Sequence, residues 1–204
     1  MDMGGRIPAA GEQESSGATD ESGGMPTAGN MRATVFIATS LDGYIAREDG
    51  ALDWLPADGG EPHGYDEFIA SVDALVIGRK TLETVLSFDA WPYGTKPVVV
   101  LSTTLAEVTV PAGAACEVMA GTPQEIVTRL AHRGLNHLYI DGGVTIQGFL
   151  EAGLIQRMII TRIPVLLGSG IPLFGAVPHD IRLEHVATRS YPSGMVQSEY
   201  VVVS

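Results

Sequence analysis

The ten residues Ala-Leu-Val-Ile-Gly-Arg-Lys-Thr-Leu-Glu at positions 74–83 carry the strongest structural signal in the chain. The first four have the length and β-branched content of a buried strand, and residues 80–86 are expected to form a short helix. Gly78 lies between them, so free backbone N–H groups and the positive end of the helix dipole face the carboxyl end of the strand. Arg79 and Thr81 add side-chain donors. The segment predicts an anion-binding turn, although a strand–helix corner with surface charges is an equally good interpretation of it alone.

Strand and helix patterns alternate along the chain from Met31 onwards. A hairpin follows at the end, with its turn at residues 192–194. This order predicts an α/β fold, with a mostly parallel central sheet, helices on both faces and a C-terminal antiparallel hairpin. The predicted strands are 34–39, 74–77, 97–101, 116–119, 137–140, 158–164, 182–190 and 195–203. The predicted helices are 64–71, 80–86, a helix that begins at the capping box of Thr122 and ends near Gly134, and 144–152.

Residues 1–30 differ in composition from the rest of the chain. They are rich in Gly, Ser, Ala and Glu, contain no aromatic residue, and have five acidic residues against Arg6. Such a segment cannot bury enough apolar surface to order itself. We expect a disordered leader over residues 1–30, with a regulatory tail as the alternative, and a single domain over residues 31–204.

Charge and cysteine content exclude several classes of function. The formal net charge of −12 argues against a nucleic-acid partner, which requires a basic face. The longest apolar runs have the length of a strand, so no membrane partner is expected. Cys116 is the single cysteine, which rules out an intrachain disulfide and a zinc nucleobase deaminase, and favours a reducing, cytoplasmic location. The five histidines lack metal-binding spacing, so no metal is expected.

Two further junctions follow predicted strands. Leu101-Ser-Thr-Thr104 places three hydroxyl groups at a strand end, where an N-cap or an ordinary loop is the simpler interpretation. Tyr139-Ile-Asp-Gly-Gly-Val144 leads a strand into a helix through two glycines, as a diphosphate-binding turn does. Ligands of open α/β sheets bind at the carboxyl ends of the strands, so both junctions are candidates.

Taken in order, five segments of the chain resemble the dihydrofolate reductase-like family. The closest similarity is to the C-terminal reductase domain of the riboflavin biosynthesis deaminase–reductase, in a stand-alone form. The segments that carry the resemblance are 38–46 (with Ser-Leu-Asp-Gly-Tyr-Ile-Ala), 76–83, 101–102, 140–143 and 153–174.

The resemblance implies NADPH as cofactor. Arg79 and Thr81 would hold the 2′-phosphate and diphosphate, with hydroxyl contacts from Ser102 or Thr103. The Ala38 backbone would bind the nicotinamide carboxamide, and the paired glycines would let the diphosphate approach the next helix. The implied cofactor-binding residues are Ala38, Gly78, Arg79, Thr81, Ser102, Thr103, Asp141, Gly142, Gly143 and Val144.

The substrate side of the resemblance is less complete. It implies a pocket formed by Asp42, Trp54 and Thr161. Dihydrofolate reductases use one carboxylate to support proton transfer to the substrate. The stretch after Trp54 is one residue shorter here than in the family pattern, so the position of this carboxylate is ambiguous. Asp58 and Asp66 are the candidate catalytic residues, and Glu67 competes with them.

The function implied is an NADPH-dependent reductase of a pyrimidine or pterin-like heterocycle, similar to 5-amino-6-(5-phosphoribosylamino)uracil reductase. A non-catalytic or sensory nucleotide-binding domain and a true dihydrofolate reductase are the alternatives. The resemblance also implies a homodimer with the late strands at the interface, and residues 158–164 and 201–203, which are very apolar for strands near a sheet edge, add minor support.

Overall fold

The structure is a computed structural model that describes residues 31–56 and 61–203. The expected leader over residues 1–30 and the candidate Asp58 lie outside these residues. The strands are β1 (Arg32–Ser40), β2 (Tyr44–Ala46), β3 (Ala74–Gly78), β4 (Val98–Leu101), β5 (Cys116–Met119), β6 (His137–Asp141), β7 (Arg157–Ile163), β8 (Ile171–Pro172), β9 (Arg182–Ser190) and β10 (Val196–Val203). The helices are α1 (Tyr65–Ser71), α2 (Arg79–Leu86), α3 (Pro123–Ala131) and α4 (Gly143–Glu151).

Eight strands form one sheet in the order β5-β4-β3-β6-β1-β7-β10-β9. The first six are parallel, and β10 and β9 add an antiparallel hairpin at one side. This is the mostly parallel sheet with a C-terminal antiparallel hairpin that the strand–helix alternation predicts. The apolar strand β7, expected near a sheet edge, is bonded to β1 and to β10. Its apolar residues are buried because these neighbours cover it, and the edge strand on this side of the sheet is β9.

Alternating side chains of the strands supply two separate cores, one on each face of the sheet. Val76 points to the face covered by α3 and α4, where Ile126 and Phe149 are fully buried. The neighbouring Ile77 points to the face covered by α1 and α2, where it packs with Phe68. Because both faces are covered by helices, the central strands are apolar at successive positions.

Helix α3 has the predicted cap. The Thr122 hydroxyl accepts a hydrogen bond from the Glu125 N–H at 3.3 Å, and the Glu125 carboxylate accepts one from the Thr122 N–H at 2.8 Å. Gly134, at a φ of 78°, follows the end of the helix. The side chains at the start of α3 therefore satisfy its own free N–H groups.

A second, two-stranded sheet of β2 and β8 was not predicted from the sequence. It joins the turn after β1 to the segment after β7, through pairs such as Tyr44 with Pro172. The Leu173 N–H also donates to the Gly43 carbonyl at 3.0 Å. This small sheet lies against the start of α4, where Gly143 faces Ile45.

Candidate functional site

The three glycine- or hydroxyl-bearing junctions lie side by side at the carboxyl edge of the sheet. Gly78 at the end of β3 pairs with Leu101 at the end of β4, and Ile77 pairs with Asp141 at the end of β6. The topology therefore brings together the residues that follow these strands, as the sequence interpretation requires.

The β3–α2 and β6–α4 junctions touch each other closely. A Cβ atom on Gly142 would clash with the Thr81 hydroxyl, and its position lies 3.9 Å from the backbone nitrogen of Gly78. In the other direction, a Cβ on Gly78 would lie 3.0 Å from the Thr145 hydroxyl. Contacts within the protein thus already require glycine at position 142 and leave little room for a side chain at position 78.

Helices α2 and α4 both begin without a side-chain cap. Their N-cap residues are Gly78 and Gly142, and neither makes a side-chain hydrogen bond to the first turn. This contrasts with α3, which Thr122 and Glu125 cap completely. Two adjacent helix starts therefore present unpaired N–H groups and positive dipole ends at one place, which is the arrangement that phosphate groups bind.

Arg79 stands at the first position of α2 with about half of its side chain exposed. Its guanidinium lies 3.3 Å from the Glu83 carboxylate, one helical turn further along. An exposed pair of this kind is weak, so Arg79 can exchange Glu83 for a ligand anion at small cost.

The hydroxyls after β4 are arranged differently from one another. The Ser102 hydroxyl accepts hydrogen bonds from the backbone N–H groups of Thr104 at 3.2 Å and Leu105 at 3.0 Å, so it caps its own turn. Thr103 is exposed beside it. Ser102 therefore caps its own turn, as the simpler interpretation of this segment predicts, while Thr103 has an exposed hydroxyl.

The start of α4 has one buried and one exposed face. A Cβ on Gly143 would lie 3.0 Å from the Ile45 side chain, so the small sheet closes over this residue. Val144 beside it is 84% exposed. An apolar side chain so exposed, next to two free helix starts, provides a surface for the flat apolar part of a ligand.

Asp141 is a partly buried carboxyl at the same edge. The Gly142 N–H donates to it at 2.8 Å, which favours the charged form. Burial outweighs that bond and raises the pKa of Asp141 to about 6. Burial, followed by the charge of Asp141, also raises the pKa of Tyr65 to about 12. The pKa of Asp141 therefore lies well above that of an exposed aspartate, which the sequence does not reveal.

The residues assigned to the nicotinamide and to the substrate are direct neighbours. Ala38 of β1 pairs with Thr161 of β7. Thr161 is buried, and its hydroxyl accepts a hydrogen bond from the Gln197 amide at 3.1 Å. The Gln197 amide also donates to the His63 carbonyl at 2.9 Å. The sequence interpretation missed Gln197 and His63. Only the pairing of β7 with β10 brings Gln197 to Thr161, and Gln197 in turn connects Thr161 to the His63 carbonyl.

Asp42 has a role in holding loops together. It accepts hydrogen bonds from the Ser40 hydroxyl at 2.6 Å and from the backbone N–H groups of Leu167 and Gly168 at 3.2 and 2.8 Å. The Ser40 bond is the largest cause that holds the pKa of Asp42 below its ordinary value. These bonds tie the turn after β1 to the segment after β7, next to the predicted substrate pocket.

The described residues do not identify one carboxylate as the proton donor on the substrate side. Asp66 and Glu67 are exposed on the first turn of α1, while Phe68 of the same helix is buried. The Trp54 indole N–H is buried and has no hydrogen-bond partner among the described residues. Within residues 31–56 and 61–203, no cluster of side chains could hold a metal ion, and no helix is long and apolar enough to cross a membrane.

Comparisons with known proteins agree with this geometry. The uncharacterized protein YwjB of Bacillus subtilis is 34% identical over 188 residues, which cover 83% of this chain and 97% of that protein. The crystal structure of a protein from Shewanella sp. PV-4, provisionally assigned to riboflavin biosynthesis, is 44% identical, covers 85% of this chain and all of that one, and superposes with a TM-score of 0.79.

Dihydrofolate reductase from Enterococcus faecalis shares the fold, with a TM-score of 0.61 at 20% identity over 85% of this chain and 97% of that one. The family profile of the RibD C-terminal domain matches residues 33–197, which include both glycine junctions and the pairing of Ala38 with Thr161. The chain therefore belongs to the RibD C-terminal domain family.

Proposed function

We propose that this protein is an NADPH-dependent reductase that transfers hydride to a C=N or C=O bond of a flat nitrogen heterocycle. One observation carries the proposal: the adjacent, uncapped starts of α2 and α4 lie at the same sheet edge as the neighbouring Ala38 and Thr161. Free helix N–H groups that suit a diphosphate and the buried hydroxyl of Thr161 thus lie at one edge of the sheet. A dinucleotide and its substrate need both.

The residues present fit such a cofactor. The N–H groups at the starts of α2 and α4 would bind the diphosphate, and Arg79 with Thr103 would contact the 2′-phosphate. The backbone of Ala38 would orient the nicotinamide beside Thr161. The cofactor supplies the hydride when it is bound, and the protein contributes orientation and exclusion of water.

The substrate class we propose is a pyrimidine or a pterin-like heterocycle, such as 5-amino-6-(5-phosphoribosylamino)uracil. Membership of the RibD C-terminal domain family supports it. The Enterococcus faecalis dihydrofolate reductase, which has a similar fold, was solved in complex with NADP(H), and this is consistent with the proposed cofactor. The exposure of Asp66 and Glu67 favours one competing function, a nucleotide-binding domain without a proton donor.

A single experiment separates these functions. NADPH and NADH are titrated against the purified protein by fluorescence, and NADPH oxidation is then followed by absorbance with a panel of aminouracils and pteridines. We expect tight binding of NADPH and oxidation that depends on both the protein and one heterocycle class. Binding without turnover across the panel would support the non-catalytic domain, and failure to bind either nucleotide would contradict both proposals.

We also propose that the protein is a homodimer. One edge of the sheet is β9, all nine residues of which are exposed. Leu183, Val186 and Val203 add exposed apolar surface at this side of the molecule. Because open, apolar edges favour association, light scattering should give about twice the 21.5 kDa of one chain. A mass of one chain at all concentrations would contradict this.

A further inference from the structure

Two tyrosines from separate elements lie on the face of the sheet that α1 and α2 cover. Tyr93 belongs to the loop between α2 and β4 and is only 6% exposed. It packs in the same core as Ile77, the strand partner of Asp141. Tyr65 is the first residue of α1, and its ring lies edge-on to that of Phe36, with the centroids 5.6 Å apart. Neither tyrosine was singled out by the sequence, because residues far apart in the chain bring them together.

The hydroxyls of both tyrosines are donors without an acceptor. The Tyr139 hydroxyl, in the same core, donates to the Phe36 carbonyl at 2.8 Å. Tyr65 and Tyr93 make no such bond with any residue of 31–56 or 61–203. Burial, followed by the charge of Asp141, raises the pKa of Tyr65 to about 12 and that of Tyr93 well above its ordinary value. Both phenols therefore keep their protons at neutral pH, and both lie near Asp141.

Trp91 strengthens the case that this place is built for a ligand. Its ring is perpendicular to that of Tyr93, with the centroids 5.3 Å apart. The indole N–H of Trp91 is also buried without a partner among the residues that the structure describes. Buried donors without acceptors are rare in folded proteins, and each one destabilises the native state. Aromatic side chains with free donors provide a surface that suits a flat ring with an acceptor on its edge.

The two phenol groups share their face of the sheet with the residues of the candidate site. On β6, Tyr139 belongs to the core under α1 and α2, so Asp141, two residues further on, points to the same face. On β1, Phe36 places Ala38 on that face in the same way, and Thr161 pairs with Ala38. Because β6, β1 and β7 are neighbours, β6 and β7 are about 10 Å apart. A flat heterocycle can lie across this distance.

We propose that Tyr93 determines specificity by donating a hydrogen bond from its hydroxyl to a carbonyl oxygen of the heterocycle, with Tyr65 closing the pocket beside it. The proposal rests on the reductase function proposed above, because that function places the ring beside Ala38 and Thr161. Tyr93 then selects a ring with a carbonyl oxygen over the same ring with an amino group in its place. An amino group is itself a donor there, so it would leave the buried hydroxyl without an acceptor. Tyr93 takes no part in the hydride transfer.

The test compares Tyr93→Phe with Tyr200→Phe, which removes a phenol hydroxyl from β10. Tyr200 pairs with Met158 of the core on the opposite face. The probes are pterin and diaminopteridine, in which an amino group replaces the carbonyl oxygen, and diaminouracil and tetraaminopyrimidine, which differ in the same way. Each is titrated by calorimetry in the presence of NADP⁺, at a pH at which the probes are uncharged. We expect the wild type and Tyr200→Phe to prefer the carbonyl compound of one pair by about tenfold, or ~1.4 kcal/mol, and Tyr93→Phe to lose this preference.

An unchanged preference in Tyr93→Phe would overturn the proposal, as would a wild type that binds none of the probes or binds both members of each pair equally. A loss of affinity for both members of a pair to the same extent would show that Tyr93 only shapes the pocket, and would overturn it too. Because the Tyr93 hydroxyl is buried without an acceptor in the free protein, Tyr93→Phe should melt at or above the temperature of the wild type. These titrations need no turnover, so a failed reductase assay does not affect their outcome.

Discussion

The Thr81 hydroxyl occupies the space in which a side chain on Gly142 would begin. Two junctions that are 61 residues apart in the sequence are thereby fitted against each other at the carboxyl edge of the sheet. The relationship makes the glycine a requirement of packing between junctions as well as of ligand approach.

Replacing Gly142 by alanine should therefore destabilise the protein. Its φ of 92° is unfavourable for any other residue, and the new methyl group would clash with Thr81. We expect a loss of about 1–3 kcal/mol in the free energy of unfolding, measured by chemical denaturation. Adding Thr81→Ala should recover part of the loss, because it removes the clashing hydroxyl.

Gly148→Ala is the matched control for this prediction. Gly148 lies in the same helix, and a Cβ there would meet only Pro123, at an ordinary 4.0 Å. Alanine is the better helix former, so this variant should be neutral or more stable by up to about 1 kcal/mol. Similar destabilisation by both substitutions would show that α4 tolerates no change at all, and would contradict the specific contact.

Arg79→Ala should reduce the preference for NADPH over NADH. The two cofactors differ only in the 2′-phosphate, so loss of a charge-assisted hydrogen bond should weaken NADPH binding and leave NADH binding nearly unchanged. Because Arg79 is half exposed, we expect a weakening of about tenfold, the lower end of the range for such bonds. Fluorescence titration of both cofactors measures the ratio.

Lys80→Ala removes the same charge from the neighbouring exposed position and should change the cofactor ratio little. Glu83→Gln should keep NADPH binding or tighten it slightly, since it frees Arg79 from its ion pair. If Arg79→Ala weakened the two cofactors equally, Arg79 would contact the shared diphosphate instead.

Asp141→Asn should stabilise the protein at neutral and alkaline pH. The pKa of Asp141 is raised from 3.8 to about 6 by burial, so the native state holds its proton more tightly than the unfolded state. The contribution of Asp141 to the free energy of unfolding is fully present below pH 3.8, and it is lost as the pH rises through 6. Asparagine is uncharged and can still accept the Gly142 hydrogen bond, so it should gain about 2–3 kcal/mol above the folded pKa.

Denaturation of wild type and variant at about pH 4 and pH 8 tests this sign, since only the higher pH should separate them. Asp66→Asn removes an exposed carboxylate and controls for the change in net charge. A variant that was less stable at both values would mean that Asp141 makes favourable charged contacts.

His137 should make the protein less stable in mild acid. Its ring is buried, Nδ1–H donates to the Ser71 carbonyl at 2.9 Å, and Nε2 lies 3.1 Å from the Thr34 hydroxyl. Burial is the main cause that lowers the pKa of His137 below 6.5, and the Ser71 bond opposes it. The unfolded state therefore gains a proton first, and stability falls as the pH drops below 6.5.

The measurement is the difference in unfolding free energy between wild type and His137→Gln as a function of pH. The difference should shrink as the pH falls from about 7 to 5. His132→Gln, which removes an exposed imidazole, should run parallel to the wild type. A difference that stayed constant would show that the ring has the same pKa in the native and the unfolded state.

The fold was largely predictable because its signals are local. Buried apolar runs mark β3 and β6, Thr122 and Glu125 mark the start of α3, and the final hairpin follows from two strand patterns around one turn. The small sheet of β2 and β8 was missed because strands of three and two residues carry no pattern, and their pairing spans more than 120 residues.

The candidate site was predictable in part for the same reason. Gly78 and Gly142 could be found because glycine between a strand and a helix is visible in the sequence. Gln197 could not, since only the pairing of β7 with β10 places it beside Thr161. The raised pKa of Asp141 depends on burial, which no local pattern encodes.

The hairpin of β9 and β10 is one uninterrupted stretch of chain, whereas the sheet edge that faces the proposed cofactor draws on segments scattered between Ala38 and Thr145. A recombination event that exchanged only residues 182–204 would replace Gln197, whose amide donates to Thr161, and leave every glycine junction intact. The hairpin residue that contacts Thr161 in the proposed substrate pocket can therefore change in one step, while the residues proposed to bind the cofactor stay the same.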